Sequence, residues 1–222
     1  MSEQAAPTSL QLPPHEGRLL IAHLDRLATW DARTPVRIVA RARALGVYSA
    51  PPMEVIAFVA LPLAEPVEVE LDSTTYAADL RASVKDDGRL TVPPVVVGDA
   101  ALAVLPPADS WQLPIPGVSG DIVPLVDTAV AEFRRRAAGV SDSSPGSPEL
   151  QRLAQEIWDR PGFGGLPLRA LHAARRLGFL SDDASRLSAS TCTGWKRLTT
   201  VRGQVFVRTV PPVNRPSLTV VK

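Results

Sequence analysis

The sequence predicts an α+β fold: a mixed N-terminal sheet-and-helix domain, then a smaller helical module that closes on a β-hairpin. Three observations predict it. Apolar residues recur at helical spacing in several separate segments. Between those segments lie short runs rich in Val, Ile, Phe and Thr, bounded by prolines and glycines. A polar stretch, residues 139–148 (GVSDSSPGSP), divides the chain into unequal parts.

The elements follow in order. Residues 1–14 carry Pro7, Pro13 and Pro14 and no periodic apolar pattern, so they read as a disordered tail. The mixed domain is expected over 15–138. Leu20, Leu24, Leu27 and Trp30 form one stripe of an amphipathic helix that ends before Pro35. Residues 36–47 fit two readings. Val36, Ile38, Ala40 and Ala42 alternate with Arg37, Arg41 and Arg43 as in a strand; Thr34, Pro35 and Gly46 would cap, start and stop a helix. The strand is preferred. Met53–Leu63 is a buried strand, and Val67, Val69 and Leu71 alternate with Glu68, Glu70 and Asp72 as a half-exposed one. Ser73 or Thr74 is placed to cap a helix through Tyr76, Leu80 and Val84. A turn follows at Asp86-Asp87-Gly88, then strand candidates at Leu90–Val97 and Ala101–Leu105 and a Pro/Gly loop over 106–120. A helix opened by Ser119 or Asp121 runs past Phe133 to Arg134-Arg135-Arg136 and stops at Gly139.

After the linker, the module at 149–222 begins with a helix carrying Leu150, Leu153, Ile157 and Trp158. A turn, Gly162-Phe163-Gly164-Gly165, leads to a second helix from Pro167 to Gly178, and Ser181 is placed to cap a third over Asp182–Leu187. Trp195–Val201 and Gln204–Val210 pair around Arg202-Gly203, and Leu218–Val221 closes the chain as a strand. No internal repeat is visible.

Composition bounds the function. With 45% hydrophobic and 21% charged residues, the chain is an ordinary globular protein. Its single cysteine, Cys192, rules out an internal disulfide and fits a reducing, cytoplasmic compartment. The longest apolar run, Val55–Ala64, is half a membrane span and contains Pro62, and no signal peptide precedes it, so no membrane contact is expected. The abundance of Ala, Arg, Val and Pro resembles chains of high-GC bacterial genomes. His15, His23 and His172 lie in unrelated segments without zinc-ligand spacing, so no metal and no cofactor is expected. Gly117-Val118-Ser119-Gly120 misses the nucleophile-elbow spacing by one residue. Asp86-Asp87 and Asp182-Asp183 read as solvated turns, and no catalytic residue stands out.

The net charge of +1 hides an asymmetry. Residues 1–111 hold nine Lys and Arg against fourteen Asp and Glu, a net of −5; residues 160–222 hold eleven against two, a net of +9. Such a split points to a polyanion or an acidic protein as partner of the basic part. Within it the run Ala173-Ala174-Arg175-Arg176-Leu177-Gly178-Phe179-Leu180-Ser181-Asp182-Asp183-Ala184-Ser185-Arg186-Leu187 resembles a winged helix-turn-helix module. Ala174 stands at the helix crossing, Gly178 at the turn and Leu187 on the second helix. The net charge of +9 and the resemblance together imply duplex DNA as ligand, bound by Arg175, Arg176, Arg186, Lys196, Arg197 and Arg202, with Arg202 at the tip of a wing, and Trp195, beside two cations, is placed to stack on a base or a planar ligand. The expected function is therefore a regulatory or nucleic-acid-associated protein acting through this module. The alternatives are a protein–protein adaptor with no nucleic-acid role, and a ligand-binding protein or enzyme with its site between the domains.

Overall fold

A computed structural model describes residues 8–96, 102–140, 144 and 146–209. The strand expected at Leu218–Val221, and parts of those at Leu90–Val97 and Ala101–Leu105, lie outside these residues.

The fold is α+β. Pro14 starts the first helix, α1 (Pro14–Ala28), with Glu16 in its first turn, after a short strand, β1 (Ser9–Gln11). Residues 36–47 are extended, as the alternation suggested, but they form a hairpin: β2 (Pro35–Arg41) turns at Ala42 into β3 (Ala44–Ser49). The buried strand becomes β4 (Ile56–Pro62). The next strand is displaced from its expected place. β5 occupies Leu71–Tyr76, where Ser73 and Thr75 point inward and pair with β2, and the helix α2 waits until Ala77–Ser83. β-branched Thr74 and Thr75 suit a pleated strand better than a first helical turn. β6 (Arg89–Thr91) pairs back on β1.

The expected loop over 106–120 contains a strand, β7 (Gln112–Val118), masked in the sequence by Pro114 and Pro116. The long helix α3 (Ser119–Ala137) follows directly. Ser147 caps α4 (Pro148–Trp158) by accepting from the Leu150 N–H at 3.2 Å. A 3-10 turn (Phe163–Gly165) leads to α5 (Leu168–Arg176), and β8 (Arg186–Cys192), β9 (Trp195–Thr200) and β10 (Gln204–Arg208) complete the chain.

The third helix of the winged module is absent: Arg186–Cys192 is a strand and residues 181–185 are a turn. Asp183 accepts from the Ser185 N–H and the Ser181 hydroxyl, which closes a side-chain turn in place of a helix cap. Beyond it, buried Leu187 and Ala189 alternate with Ser188 and Ser190 as in a strand.

Eight strands form one antiparallel sheet in the order β5-β2-β3-β4-β10-β9-β8-β7. Two three-stranded meanders, β2-β3-β4 and β8-β9-β10, meet at their last strands, with Ala57 opposite Val205. Each meander follows a strand-and-helix pair, β1-α1 or β7-α3. Otherwise the halves differ: α4 and α5 stand between α3 and β8, and β1 pairs with β6 outside the main sheet, whereas β7 pairs with β8 within it. The main core lies between the sheet and the helices and takes residues from both halves: Leu20, Leu24, Ile38, Val47 and Leu80 from one, Val126, Ile157, Leu171, Leu198 and Val205 from the other. α3 and α4, on either side of residues 139–148, both contribute to this core. A smaller apolar cluster, with Ile56, Leu102, Trp195 and Phe206, covers the opposite, outer face of the sheet.

Candidate functional site: a hollow between α3 and α5

The residues expected to form a basic face do not share one. Arg175, on α5, is held by Asp182 at 3.0 Å. Arg176 lies 4.6 Å over the ring of Trp30 and donates to the Thr29 hydroxyl at 3.0 Å. Lys196 points to the helical side and donates to the Gly165 carbonyl at 2.6 Å. Trp195 and Arg197 point to the outer face. Trp195 is buried there beneath Arg208, and Arg197 lies over Trp111 and donates to the Ser190 hydroxyl. Arg202 does not project as a wing tip; it folds back toward the Gly178 carbonyl and Asp183. Arg186 is exposed at the start of β8, with no partner among the described residues. Five cations of the set are thus committed to protein partners and divided between the two faces of the sheet.

Other marked residues turn out to be structural. His23 is buried against Phe179, with both ring nitrogens unpartnered among the described residues. The turn at 162–165 takes positive φ at Gly164 (61°) and Gly165 (70°). No group of three or more His, Cys, Asp or Glu suited to a metal ion occurs among the described residues. Among the same residues, no helix is long and apolar enough to cross a membrane.

What the fold does assemble is a hollow of about 650 Å³ on the helical side, between α3 and α5. Helical spacing on α3 brings Val126, Val130 and Phe133 to one wall, with Asp127 and Arg134 beside them. α5 supplies His172, Arg175 and Arg176. Trp158 ends α4 at the base, and Met53 enters from the loop between β3 and β4. Three rings form a ladder: Phe133 is tilted against Trp158 at 5.6 Å, and Trp158 stacks on His172 at 4.7 Å. The Nδ1 of His172 has no hydrogen-bond partner among the described residues, so stacking places this ring.

Electrostatics follow from the same geometry. Burial pushes the pKa of His172 down to about 4. Arg176 and Arg134 push in the same direction and Asp127 opposes them. The ring is neutral at pH 7 and sits in a positive field. Asp182 compensates Arg175, and among the described residues Arg134 and Arg176 have no carboxylate in an ion pair with them. Behind it, Glu132 and Glu156 bind Arg136 and Arg160 in a four-membered network that fastens α3 to α4, and Arg169 pairs with Asp159. Hydrogen bonds from Arg160 hold Glu132 at a pKa of about 2.

Sequence reasoning found Arg175, Arg176 and His172 separately but missed the hollow. Its walls come from residues about 45 positions apart, on helices that only the tertiary fold brings together. The available signal was the spacing Val126, Val130, Phe133, an apolar stripe reaching the charged end of α3.

Comparison with known proteins agrees with this architecture. Comparison with curated proteins finds no match. Among solved structures, the chain is similar to DNA polymerase III subunit beta from Borrelia burgdorferi (TM-score 0.59, 6% identity, covering 92% of this chain and 65% of that one). It is similar to a putative DNA polymerase III beta subunit from Eubacterium rectale (0.57, 7%, 92% and 65%) and to the beta subunit from Thermotoga maritima (0.55, 9%, 92% and 65%). The chain spans just under two-thirds of the length of these proteins, and at such identities the likeness is one of fold. It is a sliding-clamp fold, and with the paired arginines and the missing third helix it overturns the expectation of a regulator binding DNA through a basic C-terminal module. Residues 6–104 match the family Domain of unknown function (DUF8010) and residues 106–212 match Domain of unknown function (DUF8185), so the two matches meet at residue 105, between β6 and β7.

Proposed function

We propose that the chain is a protein-interaction module on a sliding-clamp scaffold, acting as an adaptor in a DNA-associated assembly. The observation that carries this reading is the fold likeness over 92% of the chain to a DNA polymerase III beta subunit. Two features of the surface support it. Five of the six cations expected to bind DNA make internal contacts and are divided between the two faces of the sheet, so among the described residues they form no continuous row for a duplex backbone. The α3–α5 hollow, by contrast, offers half-buried rings beside charge, the composition of a protein-binding hot spot.

The test is co-purification with the tagged full chain from its host, with and without nuclease digestion, quantified against an unrelated tagged protein. The expected result is a defined set of proteins, retained after digestion in near-stoichiometric amount. Recovery that vanishes with the nucleic acid, or that does not exceed the control, overturns the adaptor reading.

A further inference from the structure

The α3–α5 hollow combines an apolar ladder with a cationic rim. Phe133, Trp158 and His172 are only partly covered: Phe133 and Trp158 pack against the main core, and His172 stacks on Trp158. Arg134 and Arg176 stand against the single acid Asp127, so the rim is net positive. Two cations beside 650 Å³ of largely apolar space suit one or two carboxylates and an attached apolar side chain. They do not suit a duplex, whose phosphates need an extended row of cations.

Resting on the adaptor reading, we propose that this hollow is the docking site for an acidic peptide segment of the partner. An aliphatic or aromatic side chain sits on the Phe133–Trp158–His172 ladder, and a neighbouring Asp or Glu carboxylate meets Arg134 and Arg176. The complementarity is one of charge and of shape: a flat apolar floor, a guanidinium edge and no competing carboxylate except Asp127.

The experiment pans a random twelve-residue peptide library against the full chain. The selected peptide, and a counterpart with Lys in place of each acidic residue, are then measured by fluorescence anisotropy. The variants are Arg134→Glu and Asp127→Asn, both surface changes on α3, checked for an unchanged circular dichroism spectrum. Selected peptides should carry an acid next to an apolar residue. Arg134→Glu should weaken them by about tenfold or more, Asp127→Asn should tighten them, and the Lys counterpart should not bind. Peptides that bind equally well to Arg134→Glu place the contact elsewhere, overturning the hollow as the site while leaving the adaptor reading intact. If no peptide is selected and nuclease-resistant partners are also missing, both fail together. A duplex oligonucleotide or a small planar anion that displaces the peptide and is itself lost with Arg134→Glu overturns the peptide as the occupant.

Discussion

Arg197 lies 4.3 Å over the indole of Trp111, and this contact fixes the segment that joins the two halves of the molecule. Trp111 leans on Phe206 at 5.6 Å and donates its ring N–H to the Pro107 carbonyl. Two further sheet arginines hold the same segment: Arg37 donates to the Leu102 carbonyl at 2.8 Å and Arg208 to the Val104 carbonyl at 3.0 Å. Three guanidinium groups thus lay residues 102–111 across the outer face. Loss of water at Arg197 lowers its pKa from the ordinary value, the sign of a stacked and partly desolvated cation. Arg197→Ala is expected to cost about 1 kcal/mol through the lost cation–π contact, and to expose the chain near Trp111 to chymotrypsin. Arg197→Lys keeps the charge without the flat stacking surface and should fall between. Thermal melts and a digestion time course decide it; parental behaviour of both variants would remove Arg197 from this role.

His23 gives the fold an acid sensitivity of known sign. The ring is 3% exposed, stacked on Phe179 at 5.7 Å and 8°, and burial pushes its pKa down to about 4 from 6.5. Between those values the unfolded chain binds the proton and the folded chain does not. The contribution is therefore complete above pH 6.5, falls as pH drops and levels off below about 4. The loss across this window is ~3 kcal/mol at about 1.4 kcal/mol per unit. His23→Leu should flatten the curve of urea stability between pH 7 and 4.5 and should be neutral or stabilising at pH 7, since two unpartnered ring nitrogens leave the core. His172 titrates in the same direction and leaves a residual slope. The carboxylates held low, such as Glu132 at about 2, act in a lower window, where stability is lost as pH falls through their folded values.

Gly164 is required twice over. Its φ of 61° is the left-handed region, and a Cβ built there would overlap the Cβ of Ala189 on β8. The 3-10 turn must therefore lie flat on the sheet, which also lets Lys196 reach the Gly165 carbonyl. Gly164→Ala should cost roughly 2–4 kcal/mol, from backbone strain and overpacking together. Gly139, whose Cβ would meet only the Arg136 carbonyl at 3.5 Å, is the control and should tolerate alanine. Equal melting of the two variants would contradict the close approach.

These positions also show what the sequence could reveal. The helix stripe Leu20, Leu24, Leu27, the strand at 56–62 and the hairpin at 195–208 were legible because their apolar periods are clean and their ends are marked. β7 was hidden by its prolines, which an edge strand tolerates. The turn at Asp183 was hidden because a side-chain turn and a helix cap use the same residue types. The hollow was illegible for a different reason: its signal is the meeting of α3 and α5, a long-range fact without a local pattern. The charge of the basic half was legible, but its use was not, because pairing with Asp182, Trp30, Trp111 or a carbonyl depends on tertiary position.

The shared core carries the last prediction. The matches end at 104 and begin at 106, between β6 and β7, yet β4 and β10 pair across the halves at Ile56–Phe206, Ala57–Val205 and Phe58–Gln204. Leu24, Val47 and Leu80 share one apolar cluster with Val126, Leu171 and Val205. A half alone would expose that apolar surface and the last strand of its meander as a bare edge. Residues 1–105 and 106–222 expressed separately should therefore be insoluble or aggregated. Expressed together they should co-purify as a one-to-one pair that melts below the intact chain, because the covalent link no longer limits the entropy of the separated state. Light scattering and calorimetry read both outcomes. Two soluble, cooperatively melting halves that ignore each other would show that each half closes its own core, contrary to the sheet pairing seen here.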